Sequence, residues 1–234
     1  MTAPYRDGPD VSWTPGLETE QDGLVPADVP FHLGRGDTGP VQQSSVTCGS
    51  ASLTLARMLA SPEFGQWIVN GVDPRGGPPD SHSENERFAE HEREVMNRTN
   101  GIRAAGGKLN LPWPHAMGTP PWGAAKELEY GAARPGAAYA MRVVRLGSGD
   151  ALRNAHRDLV GVVGDGLPAL LYIGNGWAPR HVTLVLPAEG SGQLDVYDPA
   201  TGSVTELAVD RFASRTLEIA GWNVPWITVQ PRPS

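Results

Sequence analysis

Residues 42–60 read QQSSVTCGSASLTLARMLA, and a helical pattern begins in this stretch directly at the chain's one cysteine, Cys48. Apolar residues recur at i, i+4, i+7 and i+8 from Ala51, which predicts a buried helix that opens near Gly49. Backbone N–H groups and the positive dipole end at a helix start favour a thiolate over a thiol. Cys48 is therefore a candidate nucleophile, and Gly49 predicts an uncrowded backbone where a substrate carbonyl approaches.

The composition is that of a folded, loop-rich chain with a net negative charge. Its 234 residues include 29 glycines and 22 prolines, and 19 Lys and Arg stand against 26 Asp and Glu, a net charge of −7. This balance argues against nucleic acid or an anionic membrane as a partner. No apolar run approaches the ~20 residues that cross a bilayer, so we predict no membrane span. Residues 1–10 lack the features of a secretory signal, so we expect a soluble protein that is cytoplasmic or exported by a signal-independent route.

A single cysteine also limits the chemistry. It permits no internal disulfide and no cysteine-based zinc site. His91-Glu92 begins like a zinc-protease helix motif, but Val95 stands where the second histidine ligand belongs. We therefore expect no metal and no organic cofactor, and we predict that His91 and Glu92 lie on a solvated helix face.

Helical patterns precede strand patterns along the chain, which predicts an α+β domain. Residues 1–40 are rich in Pro and Gly and read as an irregular N-terminal arm or linker. Residues 41–234 read as one domain, with a helical part at about 48–135 and a β-rich part at about 138–230. We expect the helical part to pack on a C-terminal antiparallel sheet.

The second half of the chain offers a base for the cysteine. His181 opens a predicted strand, and residues 194–198 form the next strand of a predicted hairpin. A register that pairs Leu186 with Gln193 also pairs His181 with Asp198, and opposed residues share a face. Asp198 can therefore orient the imidazole, whereas Asp195 falls on the other face.

Further residues are candidates for binding the substrate. Gln42, six positions before Cys48, can donate its amide N–H to an oxyanion beside the Cys48 backbone, and Gln43 is the neighbouring alternative. Trp122 and Trp177 are candidate walls of a substrate groove.

In this order, Gln42, Cys48-Gly49 at a helix start, His181 and Asp198 resemble the papain-like cysteine peptidases, and most closely the bacterial branch that includes the bacteriocin-leader-processing peptidases. The resemblance covers residues 42–60 and 170–203. It implies a papain-like fold and a thiol peptidase with Cys48 as nucleophile, His181 as base, Asp198 as orienter and Gln42 as oxyanion donor. Thr47 departs from the Asp that this branch commonly has before its nucleophile.

Three functions stay open at this stage. The first is a cysteine peptidase or amidase that cleaves a peptide or isopeptide amide through an acyl-enzyme. The second is a deamidase or acyltransferase effector that modifies a partner protein with the same residues. The third is a non-catalytic papain-like binding module in which Cys48 is merely buried. The partner is a peptide or protein in each case, and the sequence does not define the oligomeric state.

Overall fold

The computed structural model describes residues 30–72, 76–188 and 192–233. Within them, four α-helices precede the first strand and two more lie between later strands. Short 3-10 turns and one π-helical turn, at the end of α4, complete the helical structure. The α-helices are α1 (Cys48–Ala60), α2 (Pro62–Asn70), α3 (Glu84–Asn100), α4 (Pro121–Glu127), α5 (Gly149–Val162) and α6 (Val209–Ser214).

The ends of α2 and α3 follow from local sequence. Ser61 accepts a hydrogen bond from the Phe64 N–H at the start of α2, and Gly71 ends that helix at a left-handed φ of 70°. Ser83 and Glu86 form a reciprocal capping box before α3. These helix starts, predicted from the sequence, are confirmed.

The strands form one antiparallel sheet in the spatial order β1-β6-β2-β3-β4-β5. The central strand β2 is buried along its whole length because both faces of the sheet are covered. The strands are β1 (Tyr139–Val143), β2 (Ala169–Gly174), β3 (Pro179–Pro187), β4 (Leu194–Tyr197), β5 (Val204–Glu206) and β6 (Val224–Pro231).

Two hydrophobic clusters flank the sheet. The larger joins α1, α2 and α3 to one face through residues such as Leu55, Leu170 and Leu184. The smaller joins α5 and α6 to the opposite face through residues such as Leu159 and Leu171. The predicted α+β class, with a helical part packed on an antiparallel sheet, is confirmed. None of the helices in the described residues is long and apolar enough to span a membrane.

The described residues include part of the predicted N-terminal arm. Residues 1–29 lie outside the described residues, and 30–40 contain neither a helix nor a strand. Phe31 and Leu33 nevertheless belong to the larger core cluster. The Gly36 N–H donates to the Val204 carbonyl at 3.2 Å, which attaches this segment to β5. The domain boundary near residue 40 stays a prediction.

The structure corrects the predicted hairpin register. Leu186 lies opposite Asp195, not Gln193, because β3 continues to Pro187, which pairs with Leu194, and the connection is therefore centred one residue later than predicted. A slip of two residues keeps every side chain on its face, whereas a slip of one reverses it. His181 and Asp198 therefore still share a face, as diagonal and not opposed residues.

The prediction of a solvated face at His91 and Glu92 is wrong. Both side chains are buried, Glu92 completely. His91 packs its ring 4.6 Å from that of Phe64 and receives a hydrogen bond from Arg57. Burial, followed by the nearby Arg57 and Arg98 charges, lowers the pKa of His91 to about 3. The exposed side of α3 instead carries Glu90, beside other charged residues.

Candidate active site

Cys48 is the first residue of α1, and its side chain is buried at the base of a groove. The N–H groups of a first helical turn have no acceptor within the helix. Those of Cys48 and Gly49 are therefore available to an anion formed beside the thiol, and α1 has no acidic side chain in its first turn to oppose it.

His181, the third residue of β3, connects Cys48 with Asp198. Its Nε2 lies 2.7 Å from Asp198 Oδ1, and both side chains are buried. Its ring also makes a side-chain hydrogen bond with Cys48. Because Nε2 is occupied by Asp198, Nδ1 is the nitrogen left for the thiol. The three side chains thus form a chain from nucleophile through base to carboxylate.

The charges and hydrogen bonds of these three side chains favour a protonated His181 imidazole. Burial lowers the pKa of His181, but hydrogen bonds to Asp198 and Cys48 outweigh it and raise the pKa to about 9. For Asp198, burial acts in the opposite direction and raises the pKa. The hydrogen bonds from His181 and from the Ala200 N–H at 2.9 Å outweigh burial, so the pKa of Asp198 is lowered. An imidazole of this kind holds a proton received from a thiol at neutral pH.

The groove over the Cys48, His181 and Asp198 side chains has a volume of about 670 Å³. Trp113 and Trp122 meet edge to face in its wall, with ring centroids 5.1 Å apart. Tyr172 lies in the lining and donates its hydroxyl to the Thr119 carbonyl at 3.1 Å. The lining includes Cys48, Trp113, Met117, Trp122, Tyr172 and His181.

Gln42 is placed differently from the other predicted catalytic residues. Its Nε2 donates to the Ser44 carbonyl at 2.7 Å, and its side chain is not in the lining of the groove. Its Oε1 is buried without a hydrogen-bond partner. Its backbone N–H donates to the Pro199 carbonyl at 2.8 Å, which links the loop before Cys48 to the turn that carries Asp198. The Gln43 amide donates to the Val41 carbonyl.

The predicted substrate-binding residues differ in their position relative to the groove. Trp122 lines the groove, whereas Trp177 is 92% exposed at a loop tip outside the lining, next to Ala178, which is part of it. Gly49 faces Thr119, and a Cβ added to Gly49 lies 2.6 Å from Thr119 Cβ. The missing side chain therefore makes room for Thr119 of the chain itself, not for a substrate.

Sequence reasoning missed Glu92, which supports the loop before Cys48 from behind. A carboxylate oxygen of Glu92 accepts the Gln43 N–H at 3.2 Å, and the Thr47 side chain also hydrogen-bonds to Glu92. Burial raises the pKa of Glu92 to about 7, and these hydrogen bonds only partly oppose it. The available signal was its position four residues after Phe88, on the apolar stripe of α3.

Comparisons with known proteins give limited information. No family model matches the chain, and no curated protein matches it. Among solved structures, the crystal structure of the Pseudomonas avirulence protein AvrPphB is similar to it with a TM-score of 0.42 and 13% sequence identity, over 83% of this chain and 97% of that one. The similarity is low, and the chemistry of this chain has to follow from its own residues.

Proposed function

We propose that this chain is a cysteine hydrolase of papain-like fold that cleaves an amide bond in a peptide or protein. The observation that carries the proposal is the buried series Cys48–His181–Asp198 at the base of an open groove. A thiol, a base in contact with it and a carboxylate that orients the base are the parts of a thiol-based acyl-transfer site.

The proposed reaction begins with transfer of the Cys48 proton to His181. The thiolate attacks the amide carbonyl carbon, and the resulting oxyanion accepts the Cys48 backbone N–H. Gln42 is the proposed second donor, and this role requires its side chain to turn from the Ser44 carbonyl into the groove, because it lies outside the lining. His181 then protonates the departing amine, and a thioester on Cys48 remains. Water, deprotonated by His181, hydrolyses the thioester and restores the thiol.

Asp198 holds the imidazole in the tautomer and orientation that this sequence of proton transfers requires. Trp122 and Trp113 provide flat apolar surface for the substrate beside the reacting bond. Trp177, at the exposed loop tip, is a proposed contact for a larger substrate outside the groove. The resemblance of residues 42–60 and 170–203 to the bacterial leader-processing peptidases supports a peptide segment as the substrate.

The decisive experiment measures alkylation of Cys48 by iodoacetamide between pH 4 and 9, followed by intact mass. Since the chain has one cysteine, each adduct reports on this site. We expect rapid alkylation that persists below pH 7 in the wild type and slows at least tenfold in His181→Ala. An ordinary thiol reacts only as the pH approaches about 8.5.

His115→Ala is the matched control, because His115 is exposed and outside the lining of the groove. This variant should alkylate like the wild type. Cys48→Ala should lose all hydrolysis of a peptide library while unfolding at a similar temperature. A slow alkylation rate that rises only above pH ~8 and is unchanged in His181→Ala contradicts the proposal and favours a binding module. Ammonia release from a protein substrate without chain cleavage identifies a deamidase instead.

A further inference from the structure

A second groove lies on the other side of Trp122, between α4 and β1. Its volume is about 650 Å³, close to that of the groove over Cys48, and Trp122 lines both. Because the two grooves share Trp122, one extended substrate segment can contact both. The second groove is lined by residues that include Lys108, Leu109, Trp122, Lys126, Glu129 and Arg232.

Cationic side chains dominate this second groove. The 234-residue sequence contains two lysines, Lys108 and Lys126, and both lie in its lining together with Arg232. Lys108 Nζ lies 5.0 Å from the centroid of the Tyr130 ring. Lys126 donates to the Leu109 carbonyl and Arg232 to that of Tyr139. Within the described ranges, none of the three cations forms an ion pair with a carboxylate.

Among the described residues, Glu129 is the one acidic residue in the lining. It accepts the Tyr139 N–H at 3.2 Å and is also hydrogen-bonded to the Tyr130 hydroxyl, and these bonds, with the Arg232 and Lys108 charges, lower its pKa. The Glu129 carboxylate is thus already bonded to residues that line the groove. Three cations against one carboxylate leave a positive groove on a chain whose net charge is −7.

The same groove exposes apolar side chains. Leu109 is 73% exposed and Met141 is 50% exposed, and both line the groove. Apolar surface beside unpaired cations fits a ligand that combines carboxylates with an apolar side chain, because each then meets its complement.

We infer that the second groove binds an acidic segment of the protein substrate, containing Asp or Glu beside an apolar residue, at a distance from the bond that is cleaved. This inference rests on the proposed function and extends it by naming the substrate class. Binding there holds the substrate across Trp122 and raises the effective concentration of the scissile amide at Cys48.

A binding assay in the Cys48→Ala background tests the inference without any catalytic step. The probes are a fluorescein-labelled peptide Asp-Glu-Leu-Phe-Glu-Asp and its counterpart Lys-Lys-Leu-Phe-Lys-Lys, measured by fluorescence anisotropy in 50 mM salt. We expect the acidic peptide to bind and the basic one not to bind. Lys108→Glu/Lys126→Glu should raise the Kd of the acidic peptide at least tenfold.

Arg153→Glu/Arg157→Glu is the matched control, since it makes the same change of charge on the exposed side of α5, on the opposite face of the sheet. Its Kd should stay within twofold of the parent. Equal affinity of the acidic peptide for both double variants, or no binding by the parent, overturns the inference. Neither result affects the alkylation test of the proposed function, so the two failures are distinguishable.

Chemical modification of the two lysines provides a second measurement. Acetic anhydride removes the charge of Lys108 and Lys126, whereas reductive dimethylation retains it. We expect acetylation to abolish binding of the acidic peptide and dimethylation to preserve it. Lys108→Arg/Lys126→Arg should bind the peptide and keep that binding after acetylation. Loss of binding after both treatments would indicate steric blockage and not charge recognition.

Discussion

The two sides of the candidate active site are held in place by different kinds of contact. His181 lies in β3 and Asp198, 17 residues further along the chain, directly follows β4, so the pairing of these two strands brings the side chains together. Cys48 depends on side chains far along the chain. Glu92 holds the Gln43 N–H from 49 residues away, and Thr119 fills the space beside Gly49.

The two sides of the site should therefore differ in the substitutions that they tolerate. A strand pair keeps its geometry when a surface side chain changes, so the base is disturbed mainly by changes to His181 or Asp198 themselves. Cys48 lies at the start of α1, and buried tertiary contacts hold the loop that precedes it. Substitutions at residues that never touch a substrate should therefore reduce its reactivity.

The largest effect on the strand side is expected from Asp198→Asn. This change keeps the size of the side chain and its place in the turn but removes the charge that orients and stabilises the imidazolium. We expect hydrolysis to fall on the order of 10²- to 10⁴-fold. The pKa of His181 should fall, which an NMR titration of its imidazole protons measures directly.

Asp195→Asn is the control within the same strand. Asp195 is buried on the opposite face, where it pairs with Arg35 at 2.7 Å. This variant should lose about 1 kcal/mol of stability and keep the wild-type alkylation profile of Cys48. A comparable loss of reactivity in both variants contradicts the separate roles of the two faces.

On the helix side, Gly49→Ala should have the next largest effect. The new Cβ collides with Thr119 Cβ, which is fixed to the backbone and has to move. We expect the alkylation rate of Cys48 to fall roughly tenfold and the free energy of unfolding to fall by about 1–3 kcal/mol. Stopped-flow alkylation and urea unfolding measure the two quantities.

Gly161→Ala serves as the counterpart for Gly49→Ala. Gly161 lies in α5 with no atom within 4 Å of a new Cβ, so alanine should stabilise the chain by about 0.5–1 kcal/mol through helix propensity. Adding Thr119→Gly to Gly49→Ala removes the colliding atoms and should restore part of the alkylation rate. Full reactivity of Gly49→Ala alone would show that the contact does not position Cys48.

Glu92 should make the stability of the fold depend on pH. Its folded pKa of about 7 exceeds the ordinary 4.5, so its contribution to stability is complete below pH 4.5 and is lost as the pH rises through 7. Glu92→Gln should remove this loss and gain about 3 kcal/mol relative to wild type across that window. Urea unfolding at pH 4.5, 6 and 7.5 measures the gain.

Glu90→Gln, on the exposed side of the same helix, should follow the wild-type pH dependence. If Glu92→Gln and the wild type show parallel stability curves, Glu92 is not a buried titrating group, and its support of the loop does not depend on protonation.

The helix ends and the side-by-side placement of His181 and Asp198 follow from local rules that are visible in the sequence. Ser61, Ser83 and Gly71 act within one turn of their own helix, and the two-residue period of a strand keeps His181 and Asp198 on one face even though the predicted register was wrong.

The positions of Gln42, Gly49 and Glu92 follow from contacts that local patterns do not contain. The Gln42 N–H bonds to the distant Pro199 carbonyl, and Gly49 faces Thr119 from another part of the chain. The Glu92 carboxylate turns inward from a charged helix to accept the Gln43 N–H. Spacing along the sequence identifies candidate residues of this kind but does not determine what fills the space around them.

The location of both lysines in one groove has a practical consequence for biochemical work on this protein. Coupling through side-chain amines, as on activated resins or biosensor chips, attaches the molecule by Lys108 or Lys126 and turns the second groove toward the matrix. Partners that enter by this groove would then be lost from a pull-down. Immobilisation through an engineered tag, or biotinylation of the N-terminal amine in Lys108→Arg/Lys126→Arg, leaves the surface open to capture them.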